Sequence, residues 1–150
     1  MIKRANNKKK KGFTLIELII VLAVMAIIAL IAIPNFSAVR NNSKVKADKQ
    51  SCATIERTVL MLVSDETIKG DGTITVTFID DKIDKATITG TGITGGDKKD
   101  NAGAEAVIKE ALEQVKPPQA APGFKKEGDK ATSYEIKIKP DGSVEPVTTK

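Results

Sequence analysis

The stretch Lys8-Lys9-Lys10-Lys11-Gly12-Phe13-Thr14-Leu15-Ile16-Glu17-Leu18, followed by an almost wholly aliphatic run to Ile33, decides how the rest of this chain is read. From Phe13 to Ile33 are 21 residues, about 32 Å as an α-helix at roughly 1.5 Å per residue. The hydrocarbon core of a bilayer is about 30 Å thick, so the segment is long enough to cross it. Only Thr14 and Glu17 depart from plain hydrophobicity, and both fall in the first turn and a half.

Glu17 is the anomaly. A carboxylate inside a spanning segment costs on the order of 3 kcal/mol, and an intramembrane acid is by default a functional-site candidate. From Phe13 to Arg40 the chain supplies no cation to pair with it. The lysines before Gly12 belong in the cytoplasmic headgroup layer. A cut after Gly12 would instead give Phe13 a free α-amine one helical turn from Glu17, roughly 6 Å away. That pair could close within one chain or between neighbouring chains offset along their axes.

At these residues the sequence resembles the type IV prepilins. That family has a short basic leader ending in glycine, a cut before an N-methylated phenylalanine, glutamate at the fifth mature position, and an apolar helix. Gly12, Phe13, Thr14, Leu15 and Glu17 match it position for position, and Pro34 falls where these helices commonly carry a kinking proline. The resemblance covers about the first quarter of the chain. It implies that a membrane aspartyl prepilin peptidase cuts between Gly12 and Phe13 and methylates the Phe13 amine. Glycine at the cut lacks a Cβ, so extended backbone there can enter a narrow cleft.

The chain's 150 residues allow one domain plus an anchor. The leader, residues 1–12, holds six of the basic residues and no acid. Removing those six from the 24 basic residues leaves 18 against 19 acids, close to −1. The overall basicity therefore belongs to the leader and does not point to nucleic acid. The leader's charge favours a cytoplasmic N-terminus and an exported remainder. An ordinary secretory signal fits less well, because the apolar run is longer than a usual h-region and has no A-x-A site before Pro34. Cys52 is the only cysteine, so no intramolecular disulfide is possible. Many Gram-negative pilins close their C-terminal region with a disulfide, so the resemblance here implies a Gram-positive member and a major pilin. With no histidine and one thiol, no zinc site is expected.

Beyond the apolar run, Pro34 predicts a kink or local opening near residues 30–34. Helix resumes from Phe36 to Val63, where Val45, Cys52, Ile55, Val59 and Leu62 form a stripe at helical spacing. Arg40, Lys44, Lys46, Asp48, Lys49, Glu56 and Arg57 are assigned to other faces. Ser64 to Gly72 reads as a loop. Thr73 to Ile79 alternates as a half-buried strand, Asp80 to Asp84 as a turn, and Ala86 to Thr89 as a short second strand. Gly90 to Asn101 reads as loop and Ala104 to Lys116 as a helix stopped by Pro117-Pro118. Gln119 to Lys130 is a surface loop tethered by Phe124. Tyr134, Ile136 and Ile138 alternate as a strand, and Ser143 to Val147 returns after a turn at Pro140-Asp141-Gly142. The expected fold is α+β: a long N-terminal helix, half transmembrane and half amphipathic, packed on an antiparallel sheet of three or four strands. The expected organisation is a leader at 1–12 removed on maturation, a core helix at 13–34, its amphipathic half at 35–65 and a head at 66–150.

Other candidates are weaker. Gly90-Thr91-Gly92-Ile93-Thr94-Gly95 matches G-x-G-x-x-G, but no helix opens on it, so a flexible loop outweighs a phosphate site. Asp80, Asp81 and Asp84 could gather around calcium but lack the glycine-turned loop of a known site. Cys52 lies on the apolar stripe and reads as a small buried hydrophobe. Arg40, Lys44, Lys46 and Lys49 could meet anionic lipid, DNA or acidic patches on neighbouring subunits, with a solvated face as the plain alternative. Five aromatic residues give base stacking little material. Asn35-Phe36-Ser37 and Asn41-Asn42-Ser43 fit the N-glycosylation pattern but lie in predicted helix. No catalytic constellation is present, and neither enzyme activity nor a cofactor is expected.

What the resemblance implies is a pilin: a structural subunit, membrane-held before assembly with its N-terminus inside, then packed into an extracellular filament serving motility, adhesion or aggregation. Its partners would be other copies of itself, the prepilin peptidase and an assembly platform in the cytoplasmic membrane; nucleic acid is not expected as a specific partner. In this reading Phe13, Glu17 and Pro34 are the assembly residues. A pseudopilin of a secretion or competence apparatus shares every N-terminal feature. A single-pass anchored binding module is the third reading, and predicts that the leader survives and Glu17 is freely replaceable.

Overall fold

The computed structural model describes residues 12–79, 81–90, 92–96, 99–126 and 128–150, with the side chains of residues 33–35 outside that description. Helix α1, Leu15–Ser64, runs for 50 residues and is followed by β1 (Ile68–Lys69), β2 (Gly72–Ile79), β3 (Lys82–Thr89), β4 (Thr94–Gly95), α2 (Asn101–Ala111), a 3-10 turn at Pro122–Phe124, β5 (Ser133–Ile138) and β6 (Thr148–Thr149). The chain divides into two compact units between Val39 and Arg40, and α1 contributes to both.

In the first unit, α1 is apolar on every side because nearly every residue is aliphatic. The window Leu15–Ala32 has a mean hydropathy of 3.1, and none of it is buried among the described residues. By length and composition it can cross a membrane. The helical assignment passes through Pro34 without a break. Of residues 30–34, where a kink is expected, the side chains of 33 and 34 lie outside the description.

The second unit is an α+β domain. β2 joins β3 and β5, and β5 joins β6, giving an antiparallel sheet in the order β3-β2-β5-β6. Ile74 sits between Ile88 and Ile136, and Val76 between Ala86 and Tyr134. The alternation seen in the sequence places Ile74, Val76 and Phe78 on one buried face, as the period-2 geometry of a strand requires. Against that face lie Cys52, Ile55 and Val59 of α1, in one core with Ile108 and Leu112. Phe78 and Tyr134 meet edge to face, with centroids 5.7 Å apart.

Several boundaries differ from expectation. β3 starts at Lys82 because the turn closes at Asp81, which takes a positive φ of 62°. The bulge between Thr77 and Phe78 absorbs the register shift. Helix α2 begins at Asn101, three residues earlier than its apolar spacing suggests, because Asp100 Oδ1 accepts from Gly103 N at 2.7 Å as an N-cap. It ends at Ala111, before the prolines. The stretch after Gly142 does not form a strand: Val144 makes one bridge to Ile138, and the edge partner of β5 is Thr148–Thr149. The predicted loops also hold a two-stranded ribbon, β1 with β4.

Helix α2 guards the sheet edge. Glu105 Oε1 accepts from Ile88 N at 3.0 Å and Lys109 Nζ donates to Asp84 O at 3.2 Å, occupying edge groups of β3 that another chain could otherwise pair with. The glycines at 95 and 103 let α2 lie close on β4 and β4 close on β1. A Cβ on Gly103 would stand 2.1 Å from Gly95 O, and one on Gly95 would stand 2.5 Å from Thr67 O. Replacing glycine by alanine in a helix ordinarily stabilises by up to about 1 kcal/mol, whereas overpacking costs roughly 1–3 kcal/mol or more. At Gly103 the neighbour is backbone and cannot swing away, so the steric term wins. Gly103→Ala is expected to lower stability by about 2 kcal/mol in urea unfolding; an unchanged or raised midpoint would contradict this packing.

Candidate functional site

The site is built at the first turn of α1. Thr14 precedes the helix and Glu17 lies three residues on, the T-x-x-E spacing of a capping box. Thr14 N and Thr14 Oγ1 each donate to Glu17 Oε2 at 3.3 Å, and Glu17 N donates to Thr14 Oγ1 at 3.4 Å. The carboxylate is thereby drawn back over the helix start, where the positive end of the helix dipole favours an anion. Among the described residues both contacts to the carboxylate use Oε2 and none uses Oε1, which keeps its acceptor capacity. Phe13 projects outward, 87% exposed, and Gly12 is exposed with nothing within 4 Å of the space a Cβ would fill. The bond between Gly12 and Phe13 is thus sterically open. The leader lysines 8–11 lie outside the described residues.

The structure gathers Gly12, Phe13, Thr14 and Glu17 at one end of the apolar helix; the Pro34 side chain is not described. Sequence reasoning noted Thr14 only as a polar interruption, although its spacing to Glu17 signals the cap. The arrangement can hold one anion at a fixed height at the start of a bare apolar cylinder and offer a free oxygen to a neighbouring cation.

Residues 7–33 match the family model described as the prokaryotic N-terminal methylation motif. The chain carries this motif. It spans the leader lysines, the glycine, the phenylalanine and the acid in one continuous match, so the methylation motif covers the site and most of the apolar helix. A relative named prepilin peptidase-dependent protein A, from Clostridium perfringens (strain 13 / Type A), is 49% identical over 65 residues, covering 43% of this chain and 46% of the relative. The match thus spans about half the length of that curated relative. No solved structure matches the chain.

The remaining candidates resolve by packing. Gly92 and Gly95 are crowded by Asp71 O and Thr67 O, so the G-x-G-x-x-G spacing serves a close crossing of two backbone segments. Asp80 lies outside the described residues, and among the described residues no three acidic, cysteine or histidine side chains gather as a metal site. Phe124 is half-buried, with Lys49 Nζ 5.7 Å from its ring centre and its own N–H donating to Thr149 Oγ1 at 3.4 Å. It tethers its loop as expected.

Asp48 departs from its expected place on a solvent face. It is 1% exposed, and its two oxygens accept from Gln119 N and Ala120 N at 2.8 Å each. Its position completes the buried stripe 48, 52, 55, 59 on α1, so an acid at a core position was the available signal. Tyr134 is fully buried and donates to Lys116 O at 3.0 Å; burial raises its phenol pKa. Cys52 is buried as expected, and burial, with the nearby Asp48 and Glu56 charges, pushes its thiol up to about 12. The unfolded chain releases this proton near the ordinary thiol value while the folded one keeps it. Stability is therefore expected to fall as pH rises from about 9 toward about 12. The fall should be shallower in Cys52→Ala, read by denaturant unfolding across that range; identical slopes would refute the assignment.

Proposed function

We propose that this chain is a structural subunit of an extracellular type IV filament. A prepilin peptidase removes residues 1–12 and exposes the Phe13 amine, consistent with the peptidase dependence in the relative's name. The subunit then waits in the cytoplasmic membrane, held by the apolar half of α1, until an assembly platform draws it into the polymer. Moving an apolar helix from lipid into a bundle of like helices yields little net hydrophobic gain. Direction and register then come from electrostatics: Glu17 of one copy takes the methylated Phe13 amine of its neighbour. In a low-dielectric core an unpaired charge is strongly disfavoured, which makes the paired register the stable one.

The observation that carries this reading is the capped carboxylate, with one oxygen uncommitted, at the start of a helix whose every apolar side is bare. The pseudopilin alternative shares that feature; long surface filaments at native expression distinguish the pilin. The test is mass analysis of protein sheared from cell surfaces. The expected protein begins at methylated Phe13, and intact subunits still bearing the lysine-rich leader would overturn the proposal.

A further inference from the structure

The α+β domain carries unlike charge at its two ends. At the Asp48 end of α1, two neighbouring concavities of about 620 and 100 Å3 open on the chain that follows α2, which Asp48 holds through Gln119 N and Ala120 N. Lys44, Lys116, Lys125, Lys126 and Lys130 line them, and Asp81 and Glu113 are the acids that share the larger one. Asp129 adds a third acid beside Lys130, and Lys46 and Lys49 add two cations on α1. Among the described residues none of the lining lysines or acids has an opposite charge within 4 Å. Ile79, exposed, ends β2 here, where Phe78 N donates to Thr132 O at 3.0 Å. The opposite end lies about 20 Å along α1, thirteen residues from Asp48 to Met61. Leu60 and Met61 are exposed there. Gly72 starts β2 at that end, opposite Ile138, and Gly142 lies beside Val63. Asp65, Asp71 and Asp141 occupy the adjoining turns, with no cation within 4 Å among the described residues. Hydrogen bonds from Thr67 and Ser143 hold Asp65 and Asp141 below the ordinary carboxylate range, so both are charged at neutral pH.

We propose that the basic end of one domain docks on the acidic end of a second copy, an inference that rests on the filament proposed above. Charge complementarity between the two ends favours this occupant and sets the direction of the contact. The apolar side chains exposed at both ends, Ile79 at one and Leu60 and Met61 at the other, give it apolar area as well as charge. The two faces differ, so the contact is heterologous: it repeats head to tail and, where the rotation does not close a ring, extends an open helical polymer. A uniformly anionic partner, whether a lipid leaflet or a nucleic acid, fits less well, because Asp81 and Glu113 stand among the lysines and would be repelled. The acidic end of a second copy answers them. Lys99 lies there beside Glu66 and Lys69, and among the described residues has no acidic side chain within 4 Å.

The test treats filaments sheared from cells with a water-soluble carbodiimide, which joins a carboxylate to a lysine amine without a spacer, and maps the joined peptides by mass spectrometry. Because the two ends stand about 20 Å apart in one copy, an amide from Asp65, Asp71 or Asp141 to Lys44, Lys125, Lys126 or Lys130 can form only between copies. At least one such link is expected, with the Glu66–Lys69 pair, 2.6 Å apart within one copy, as the internal control. Filaments that give the control and no end-to-end link would overturn the inference and leave the filament itself standing. Lys125→Glu with Lys126→Glu should lower filament yield at least about threefold, and adding Asp65→Lys with Asp141→Lys in the same chain should restore it. An unchanged yield, or a loss that the second pair of substitutions does not repair, would overturn the inference. So would a fall in membrane-held protein before assembly in the Lys125→Glu, Lys126→Glu variant, which marks a lipid contact. Cells of the unmutated strain that shed no filaments would instead refute the filament.

Discussion

Replacing Glu17 by valine is expected to give a protein that still inserts in the membrane and still loses its leader, yet yields at least about tenfold fewer sheared surface filaments. A tenfold loss corresponds to only about 1.4 kcal/mol per subunit contact, whereas removing one partner of a buried ion pair costs roughly 3–5 kcal/mol. Valine also removes the lone acid from the spanning segment, so insertion itself should be no harder. The capping box supplies a rival explanation, because Glu17 also receives Thr14 N and Thr14 Oγ1. Glu17→Gln separates the two: the amide oxygen can still accept both contacts, but it carries no charge to pair with a neighbour's amine. If the ion pair sets the register, the glutamine variant should fail to assemble nearly as completely as valine. Filaments of normal yield from Glu17→Gln would reduce Glu17 to a helix cap and remove the assembly mechanism.

The second large effect is expected at Asp48, where alanine should lower the stability of the head by about 3 kcal/mol. Both carboxylate oxygens accept from backbone N–H groups at 2.8 Å, in a position that water does not reach. Hydrogen bonds to a charged acceptor contribute roughly 1.5–3 kcal/mol each, and a buried donor left without a partner costs about 1–3 kcal/mol. Alanine strands two such donors, at Gln119 and Ala120. For a domain of this size the loss corresponds to a fall in Tm of about 10 °C. Asp48→Asn should fall between the two, since one of its two side-chain atoms is a donor and cannot serve the second N–H. Thermal unfolding of the full chain in detergent, with hydrogen exchange at Gln119 and Ala120, reads both effects. Unchanged protection of those two amides in Asp48→Ala would show that the loop is held by other contacts.

The α+β class and the strands β2 and β5 were legible because period-2 alternation at Ile74, Val76 and Phe78, and at Tyr134, Ile136 and Ile138, is a local property of a strand with one buried face. The stripe at Cys52, Ile55 and Val59 was legible by the same logic at helical period. The starts of α2 and β3 were not, because a cap at Asp100 and a left-handed residue at Asp81 set them, and polar residues at those positions carry no hydrophobic period. Asp48 was assigned by residue type to solvent. What overrides type there is the arrival of two backbone donors from Gln119 and Ala120, 71 and 72 residues further along.

The sequence by itself determined the apolar helix, the glycine before Phe13 and the solitary acid, since each is a matter of composition and spacing along a few turns. Only the tertiary structure decided which glycines must stay bare and which acid is buried. Those depend on backbone groups brought close by folding, and no local window of residues contains them.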